Sequence, residues 1–373
     1  MKYCVLYPNT WNVNLVKEMG MIPYKLHKLY GFDAKIACYK NEENYSYLEK
    51  EVKGLKIDFI KKYTGNYTID GVIYLLKHSK EIDMLQVFHI TLYSMCYAMI
   101  YKLLNKRGKV YLKLDCSHKL IDKLNSLGKF RMFLTNLYLN KADYISVEQK
   151  KLYPKLKDIL KKQSHKIINI PNGVDFDYLQ HENIKYDFNH KKNIILNVAR
   201  VGAKEKNTKM LLEAFSKIKD IEKLDWKLYL VGPIEEEFKP YIKEFYDNNP
   251  NLKDKVVFKE EIRDRRELFK LYGESKIFSL TSDFESFGIS FIEAAALGNT
   301  IISTEVGIAE EITSKGGGDV VKLNDVEGLK QCFENYIFLK DLSESCDLSY
   351  KECRENFDWD KIIHKLYSEL SKK

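Results

Sequence analysis

The sequence predicts an α/β protein made of two doubly wound, parallel-sheet domains in tandem. Short apolar runs suited to buried strands alternate with segments of helical apolar periodicity along the first half of the chain. The same alternation restarts after a polar stretch at 177–192. A chain of 373 residues is long enough for two domains of ordinary size, each with its own core. Strands that alternate with helices in this way build a parallel sheet with helices on its faces.

In the first half, Tyr3–Tyr7, Ala34–Cys38, Leu85–His89, Val110–Leu114 and Tyr144–Val147 read as short buried strands, with apolar-periodic helices near 15–30, 70–80, 92–105 and 119–140. The first domain is placed at 1–180. The polar stretch Asp177–Lys192 reads as linker, and strands resume at Ile194–Val198, Lys227–Val231, Val256–Lys259, Lys276–Leu280 and Thr300–Ser303, giving a second domain at 181–355. The segment from Asn356 through Leu370 reads as a helix, the core of a tail at 356–373. Gly316-Gly317-Gly318 reads as a flexible surface turn, and no repeat or low-complexity tract is present.

Seven cysteines, Cys4, Cys38, Cys96, Cys116, Cys332, Cys346 and Cys353, are scattered with no Cys-x-x-Cys pair or Cys/His cluster. That argues against a zinc site or a disulfide framework and fits a reducing cytoplasm. Met1–Pro8 has too short an apolar run for a signal peptide, and no segment reaches the about 20 apolar residues of a membrane span, so the expectation is a chain that does not cross a bilayer.

The net charge of +8 is unevenly placed. Residues 1–180 carry 30 basic and 17 acidic residues, residues 181–373 carry 31 and 36, and 101–170 alone carry 17 and 5. A basic half suits nucleic acid, an acidic saccharide or an anionic membrane surface. Between Lys119 and Lys141, Leu120, Leu124, Leu127, Phe130, Phe133, Leu134 and Leu137 recur at helical spacing beside Lys119, Lys123, Lys129 and Arg131. This pattern suits an interfacial helix, and equally a core-facing helix with a solvated lysine face.

The densest chemistry lies at Thr281–Gly298. Lys276–Leu280 suits a buried strand, and Ile289, Phe291, Ile292, Ala295 and Ala296 mark a helical apolar face that stops at Gly298. The tight turn between them points N–H groups at an anion, because the unpaired amides and positive end of a helix favour phosphate and Gly288 lets the backbone approach it. Glu285 falls in the loop and Glu293 in the first helical turns. A carboxylate accepts two hydrogen bonds at once, so each suits a vicinal diol of a sugar or a ribose. A diphosphate flanked by two diols describes a nucleotide sugar. The plainer alternative is a solvated loop charge at Glu285 and a helix-start charge at Glu293.

This stretch resembles the glycosyltransferase family 4 signature, a Glu-x7-Glu motif set in Glu285-Ser286-Phe287-Gly288-Ile289, Glu293-Ala294 and Gly298. The likeness continues into Thr304–Gly307 and Glu310–Ile312. Upstream, Asn197–Asn207 with Leu211–Phe215 is similar to the family's strand, Arg…Lys-Asn loop and helix. Ile170–Asp175 resembles its inter-domain turn, and Tyr229–Pro233 its second donor-domain strand. Roughly residues 165 to 315 are covered.

The resemblance implies the GT-B architecture: two Rossmann-like domains facing across a cleft, an N-terminal one for the acceptor, a C-terminal one for the nucleotide sugar, and a terminal helix returning to the first. It implies retaining, metal-independent transfer of a sugar from a nucleoside diphosphate to an acceptor hydroxyl. In it Arg200 and Lys206 clamp the diphosphate and stabilise the charge that grows on the leaving phosphate, in place of a divalent metal. Glu293 holds the ribose hydroxyls, Glu285 positions the transferred sugar, and Phe287, Gly288 and Ile289 meet the phosphates through backbone amides. Ser286 and Gly232 join them as donor-binding positions. No further cofactor is implied. A UDP-sugar is the first expectation, with GDP- and dTDP-sugars as alternatives, and base recognition falls to backbone groups around Lys259–Arg263.

Asp175-Phe176-Asp177 and Asp358-Trp359-Asp360 have the Asp-x-Asp form that holds Mn²⁺ or Mg²⁺ in the GT-A transferase fold. The first follows Pro171–Val174 at the domain junction and the second opens the terminal helix, so no metal site is expected. On the acceptor side the family's Gly-Gly loop is here Asn9–Gly20 with a single Gly, and the His expected after the fourth strand is replaced by Asp115, with His118 three positions on. Asp115 and His118 are the acceptor-side candidates, because a carboxylate accepts a hydrogen bond from a hydroxyl and His titrates near neutral pH. Their alternative roles are helix cap and surface residue. His89 reads as a core or cleft-wall residue.

The implied acceptor is a glycan on a lipid carrier, in bacterial surface polysaccharide or capsule synthesis, met from the cytoplasm at the inner face of the cell membrane. An anionic membrane surface is then a partner and nucleic acid is not. A soluble or protein acceptor is the alternative, as is a non-catalytic GT-B partner subunit, which the presence of Arg200, Lys206, Glu285 and Glu293 disfavours.

Overall fold

The computed structural model describes residues 1–372, which form two compact units, Met1–Gly173 with the terminal segment from Trp359, and Val174–Asp358. The division therefore falls at 173/174 and 358/359, against the expected 180/181 and 355/356. The chain enters and leaves the second unit side by side: Val174 bridges Asp358, and Val174 N–H donates to Phe357 O at 2.8 Å.

The first unit holds a seven-stranded parallel sheet. Its strands are β1 (Lys2–Leu6), β2 (Asp33–Cys38), β3 (Lys56–Phe59), β4 (Met84–Phe88), β5 (Lys109–Leu114), β6 (Tyr144–Val147) and β7 (Ile167–Asn169), in the order β3-β2-β1-β4-β5-β6-β7. The second holds six parallel strands, β8 (Lys192–Val198), β9 (Lys227–Val231), β10 (Val256–Lys259), β11 (Ser275–Leu280), β12 (Thr300–Thr304) and β13 (Gly318–Val321), in the order β10-β9-β8-β11-β12-β13. This is the doubly wound pattern, in which strand order reverses once in each sheet. Side chains alternate across the pleat, so each sheet has two cores. In the first, Cys4 and Leu6 pack with Leu75, Tyr97 and Tyr101, while Tyr3 and Val5 pack with Ile22, Leu26 and Trp359.

The terminal helix Trp359–Ser371 belongs to that second cluster, through Ile362, Ile363, Leu366 and Leu370. It lies on the helix Glu18–Tyr30, where buried Lys25 meets Asp360 at 2.7 Å and Tyr30 stacks on Tyr367. Among the described residues no helix is long and apolar enough to cross a membrane.

Several expectations are corrected. The strands β3, β7 and β13 are not apparent from apolar runs, and all three are sheet edges, where strands are short and carry polar residues. The supposed linker 177–192 holds most of the helix Phe176–His181 and a short 3₁₀ turn, Phe188–His190. Gly316–Gly318 is no flexible turn: Gly317 and Gly318 are buried, Gly318 opens β13 at φ 146°, and a Cβ there would strike the backbone of Ile301. The helix expected over 119–140 is two, His118–Asn125 and Lys129–Lys141, broken before Gly128. Ile121 and Leu124 of the first are buried, whereas Phe130, Phe133, Leu134 and Leu137 of the second are exposed, which overturns a core-facing role for that stripe. His89 lies just past β4.

Candidate functional site

In the second unit the strand order reverses between β8 and β11, which are hydrogen-bonded neighbours. Beyond the carboxyl ends of two such strands the loops diverge and leave a crevice for ligand. The loop after β8 and the loop after β11 are joined there. Asp283 N–H donates to Glu205 O at 2.8 Å, Thr281 Oγ1 to Asn207 O at 3.0 Å, and Asn207 Nδ2 to Asp283 Oδ1 at 3.0 Å. Asn207 holds the left-handed conformation at φ 45°, which Asn tolerates better than most residues.

This joining brings Lys206 to Glu285. Lys206 Nζ lies 2.5 Å from Glu285 Oε1, and Ser282 Oγ donates to the same oxygen at 2.7 Å. The two side chains are only 20% and 14% exposed, so water does little to screen them and each needs the other's charge until a ligand replaces it. Gly288, at φ 88°, ψ 68°, then starts the helix Ile289–Ala296, which has no side-chain cap on its first amides. A Cβ at Gly288 would run into the Phe291 ring.

Phe287 is buried against Phe357, and its carbonyl accepts from Ile308 N–H at 3.0 Å. Ser286 and Ile289 are half-buried beside it. Gly307, at φ 54°, lets the next loop come close: a Cβ there would meet the Phe287 carbonyl and lie 3.1 Å from Glu285 Cβ.

Glu293 sits further along the same helix, with Arg265 Nη1 at 3.1 Å from Oε1 and the buried Tyr272 hydroxyl at 3.5 Å from Oε2. Arg265 opens the helix Arg265–Glu274, capped by Asp264, and is a functional candidate the sequence reading missed. It lies two positions past the Lys259–Arg263 segment, and its contact with a residue of the motif is the signal that marks it. Arg200 is on the rim, paired with Glu205 and, at 3.5 Å, with Glu235, while Lys206 pairs with Glu285. The Glu205 carboxyl is held below the usual range, first by its own backbone N–H and then by the charge of Arg200. Gly232, just past β9 at φ 142°, is placed where a Cβ would strike the Ala199 carbonyl, so it admits the chain next to Arg200.

In the first unit Asp115 follows β5 and His118 opens the next helix, both exposed. The structure gathers a second group there. Lys113, the penultimate residue of β5, and Glu148, just after β6, form a fully buried pair at 2.7 Å, and Asn172 Nδ2 donates to the same Glu148 oxygen at 3.1 Å. Burial drives the Glu148 carboxyl well above its ordinary range, against the pull of Lys113. His89 takes φ 58°, a strained conformation for a non-glycine residue, and such strain clusters at functional sites. Burial lowers its imidazole, while the charges of Asp115 and Glu18 raise it less.

The Asp-x-Asp triplets are engaged elsewhere. Asp175 caps the helix Phe176–His181 through Asp177 N–H and Tyr178 N–H, Asp358 accepts from Arg354 at 3.2 Å, and Asp360 pairs with Lys25.

Residues 180–347 match the model of the family described as glycosyl transferases group 1. Two curated relatives align. A probable sucrose-phosphate synthase of Thermosipho melanesiensis is 29% identical over 62% of this chain and 50% of its own length. An N-acetyl-alpha-D-glucosaminyl L-malate synthase of Bacillus anthracis is 24% identical over 67% of this chain and 64% of its own. The chain thus spans between half and two thirds of the relatives it matches. The crystal structure of Anabaena HepE in complex with UDP and glucose superposes with a TM-score of 0.72 at 15% identity, covering 100% of this chain and 99% of that one, a likeness of fold. The two parallel sheets are therefore those of the GT-B fold, and the stretch similar to the glycosyl transferases group 1 model, residues 180–347, holds Arg200, Lys206, Glu285 and Glu293.

Proposed function

We propose that this chain is a retaining glycosyltransferase that moves a sugar from a nucleoside diphosphate, a UDP-sugar first among the candidates, to a hydroxyl of a lipid-linked glycan at the inner face of the cell membrane. The observation that carries this reading is the Lys206–Glu285 pair at the strand-order reversal, next to the uncapped helix start at Gly288. A cation, a carboxylate and unspent amides within one crevice match a diphosphate joined to a sugar. The UDP and glucose bound by the Anabaena protein of the same fold support the same donor class.

On this reading the donor phosphate displaces Glu285 from Lys206, and the released carboxylate turns to the sugar hydroxyls. Arg200, Lys206, the amides of Phe287, Gly288 and Ile289, and the backbone around Ser286 and Gly232 then face the diphosphate. Glu293, steadied by Arg265 and Tyr272, accepts from the ribose hydroxyls. The bond from the sugar's anomeric carbon to the diphosphate oxygen breaks as the bond to the acceptor oxygen forms on the same face. The acceptor proton passes to the departing phosphate oxygen, and the nucleoside diphosphate leaves. Charge grows on that oxygen in the transition state, so fixed cations and amides accelerate the step without a metal. The first unit takes the acceptor, with Asp115 and His118 at its hydroxyl.

A small soluble acceptor is the second reading, favoured by the names of the two curated relatives, synthases of sucrose phosphate and of a glucosaminyl malate.

The test is a panel of UDP-, GDP- and dTDP-sugars scored by thermal shift and by donor hydrolysis, with and without EDTA. Saturation about 100-fold above Kd adds about 2.7 kcal/mol to stability. A Tm rise with one base, and EDTA-resistant hydrolysis, is expected; no shift with any sugar nucleotide overturns the reading.

A further inference from the structure

The helices Leu92–Leu104 and Lys129–Lys141 of the first unit pack against each other. Each buries one face in the sheet's core, through Tyr97, Ala98 and Tyr101 in the first and Tyr138 and Leu139 in the second. The outward face of each is apolar as well. On the second helix Phe130, Phe133, Leu134 and Leu137 follow helical i, i+3, i+4, i+7 spacing, and all are exposed, Phe130 at 72% and Phe133 at 57%. On the first, Leu92, Met99 and Leu103 share a face and are exposed, Leu92 at 71% and Leu103 at 70%. The usual outward face of a helix is polar; here the exposed middle of each helix is apolar.

Charge adds a second, independent observation. Neither helix contains an acidic residue. Exposed cations stand at their ends: Lys106 and Arg107 after the first, Lys129, Arg131 and Lys141 on the second. An apolar stripe on helices whose own charged residues are all cations is the composition of an interfacial helix, whose phenylalanines and leucines enter the boundary of headgroups and acyl chains while lysines and arginines meet lipid phosphates.

We propose that this two-helix face is a membrane-docking surface that seats on a bilayer containing anionic lipid. Charge decides between this occupant and a second copy of the chain, because self-pairing of this face would set the cations Lys129, Arg131 and Lys141 against cations, with no acidic residue on either helix to offset them. The surface gives the proposed enzyme its access to a lipid-linked acceptor and rests on that reading in this respect only; docking itself needs no turnover.

The test uses the full chain in co-sedimentation with vesicles of phosphatidylcholine, alone or mixed with phosphatidylglycerol. The chain is expected to bind the mixed vesicles, to bind pure phosphatidylcholine far less, and to be released by salt. Phe130→Ser with Phe133→Ser, and separately Lys129→Glu with Arg131→Glu, are each expected to lower the bound fraction about tenfold or more. The donor-induced thermal shift of both variants stays at the wild-type value, which shows that they fold. Vesicle binding without any donor shift in the wild type leaves docking intact and removes the donor reading. Three results overturn docking: wild type that does not sediment with anionic vesicles, variants that sediment like wild type, or a Phe130/Phe133 variant that loses a dimer in light scattering, or nucleic acid binding, while vesicle binding is unchanged.

Discussion

At the scale of single residues, the candidate site is a set of opposite charges that satisfy one another, and on the proposed reading a donor takes their place. Lys206 and Glu285 are the sharpest case, because both are mostly shielded from water. Lys206→Ala is expected to lower turnover about 100- to 1000-fold, the cost of removing one preorganised donor to a developing oxyanion. Glu285→Gln keeps the shape and lowers turnover too; steady-state rates near wild type in both would remove this crevice as the active site. His89 supplies a pH prediction. Its folded-state pKa lies below the ordinary 6.5, so the unfolded chain binds more protons in the window just below 6.5. Its contribution is present above that value and lost as pH falls. His89→Asn, which tolerates the same left-handed backbone, is expected to flatten the fall in Tm on acidification through this window. An unchanged slope would assign that dependence to other groups.

At the scale of elements, the site depends on loops that approach closer than a Cβ permits. Gly307 is the plainest instance: its left-handed φ of 54° and its distance from the Phe287 carbonyl exclude a side chain. Gly307→Ala is expected to cost about 1–3 kcal/mol. It also pushes Phe287 and Glu285, so the donor-induced thermal shift should fall with the stability; loss of Tm alone would separate the loop from the site. The terminal helix presents another test. Leu366 is fully buried in the first unit although it comes from the far end of the chain. Leu366→Ala is expected to cost about 2–5 kcal/mol, read as a lower denaturant midpoint. Local patterns reveal elements of this kind only partly. The central strands carry continuous apolar runs and were readable, while β3, with Lys56 and Asp58 on a sheet edge, was not. The break at Gly128 was hidden because the apolar spacing runs on across it, from Leu124 and Leu127 to Phe130.

At the scale of the whole molecule, the proposed function places donor and acceptor on different units, and each unit has its own sheet and its own strand-order reversal. Hydrogen exchange with and without UDP checks this division. Protection is expected to rise most at residues 199–207 and 281–296, and far less along β1 and β4; the reverse pattern would move the nucleotide to the first unit. The uneven charge has a structural counterpart in the exposed helices of the first unit, where cations border an apolar face.

The sequence by itself determined the α/β class, the tandem arrangement and the four charged donor-site candidates, because strand and helix periodicity and the loop-to-helix motif are local and each lies within a short window. Only the tertiary structure decided which charges meet. Arg265 reaches Glu293 from 28 positions away, and Lys113 reaches Glu148 from 35. It also decided which apolar stripe is core. Leu124 and Phe133 look alike as a pattern, but one turns inward and the other faces solvent, since periodicity fixes which residues share a face and only packing against the rest of the chain fixes where that face points.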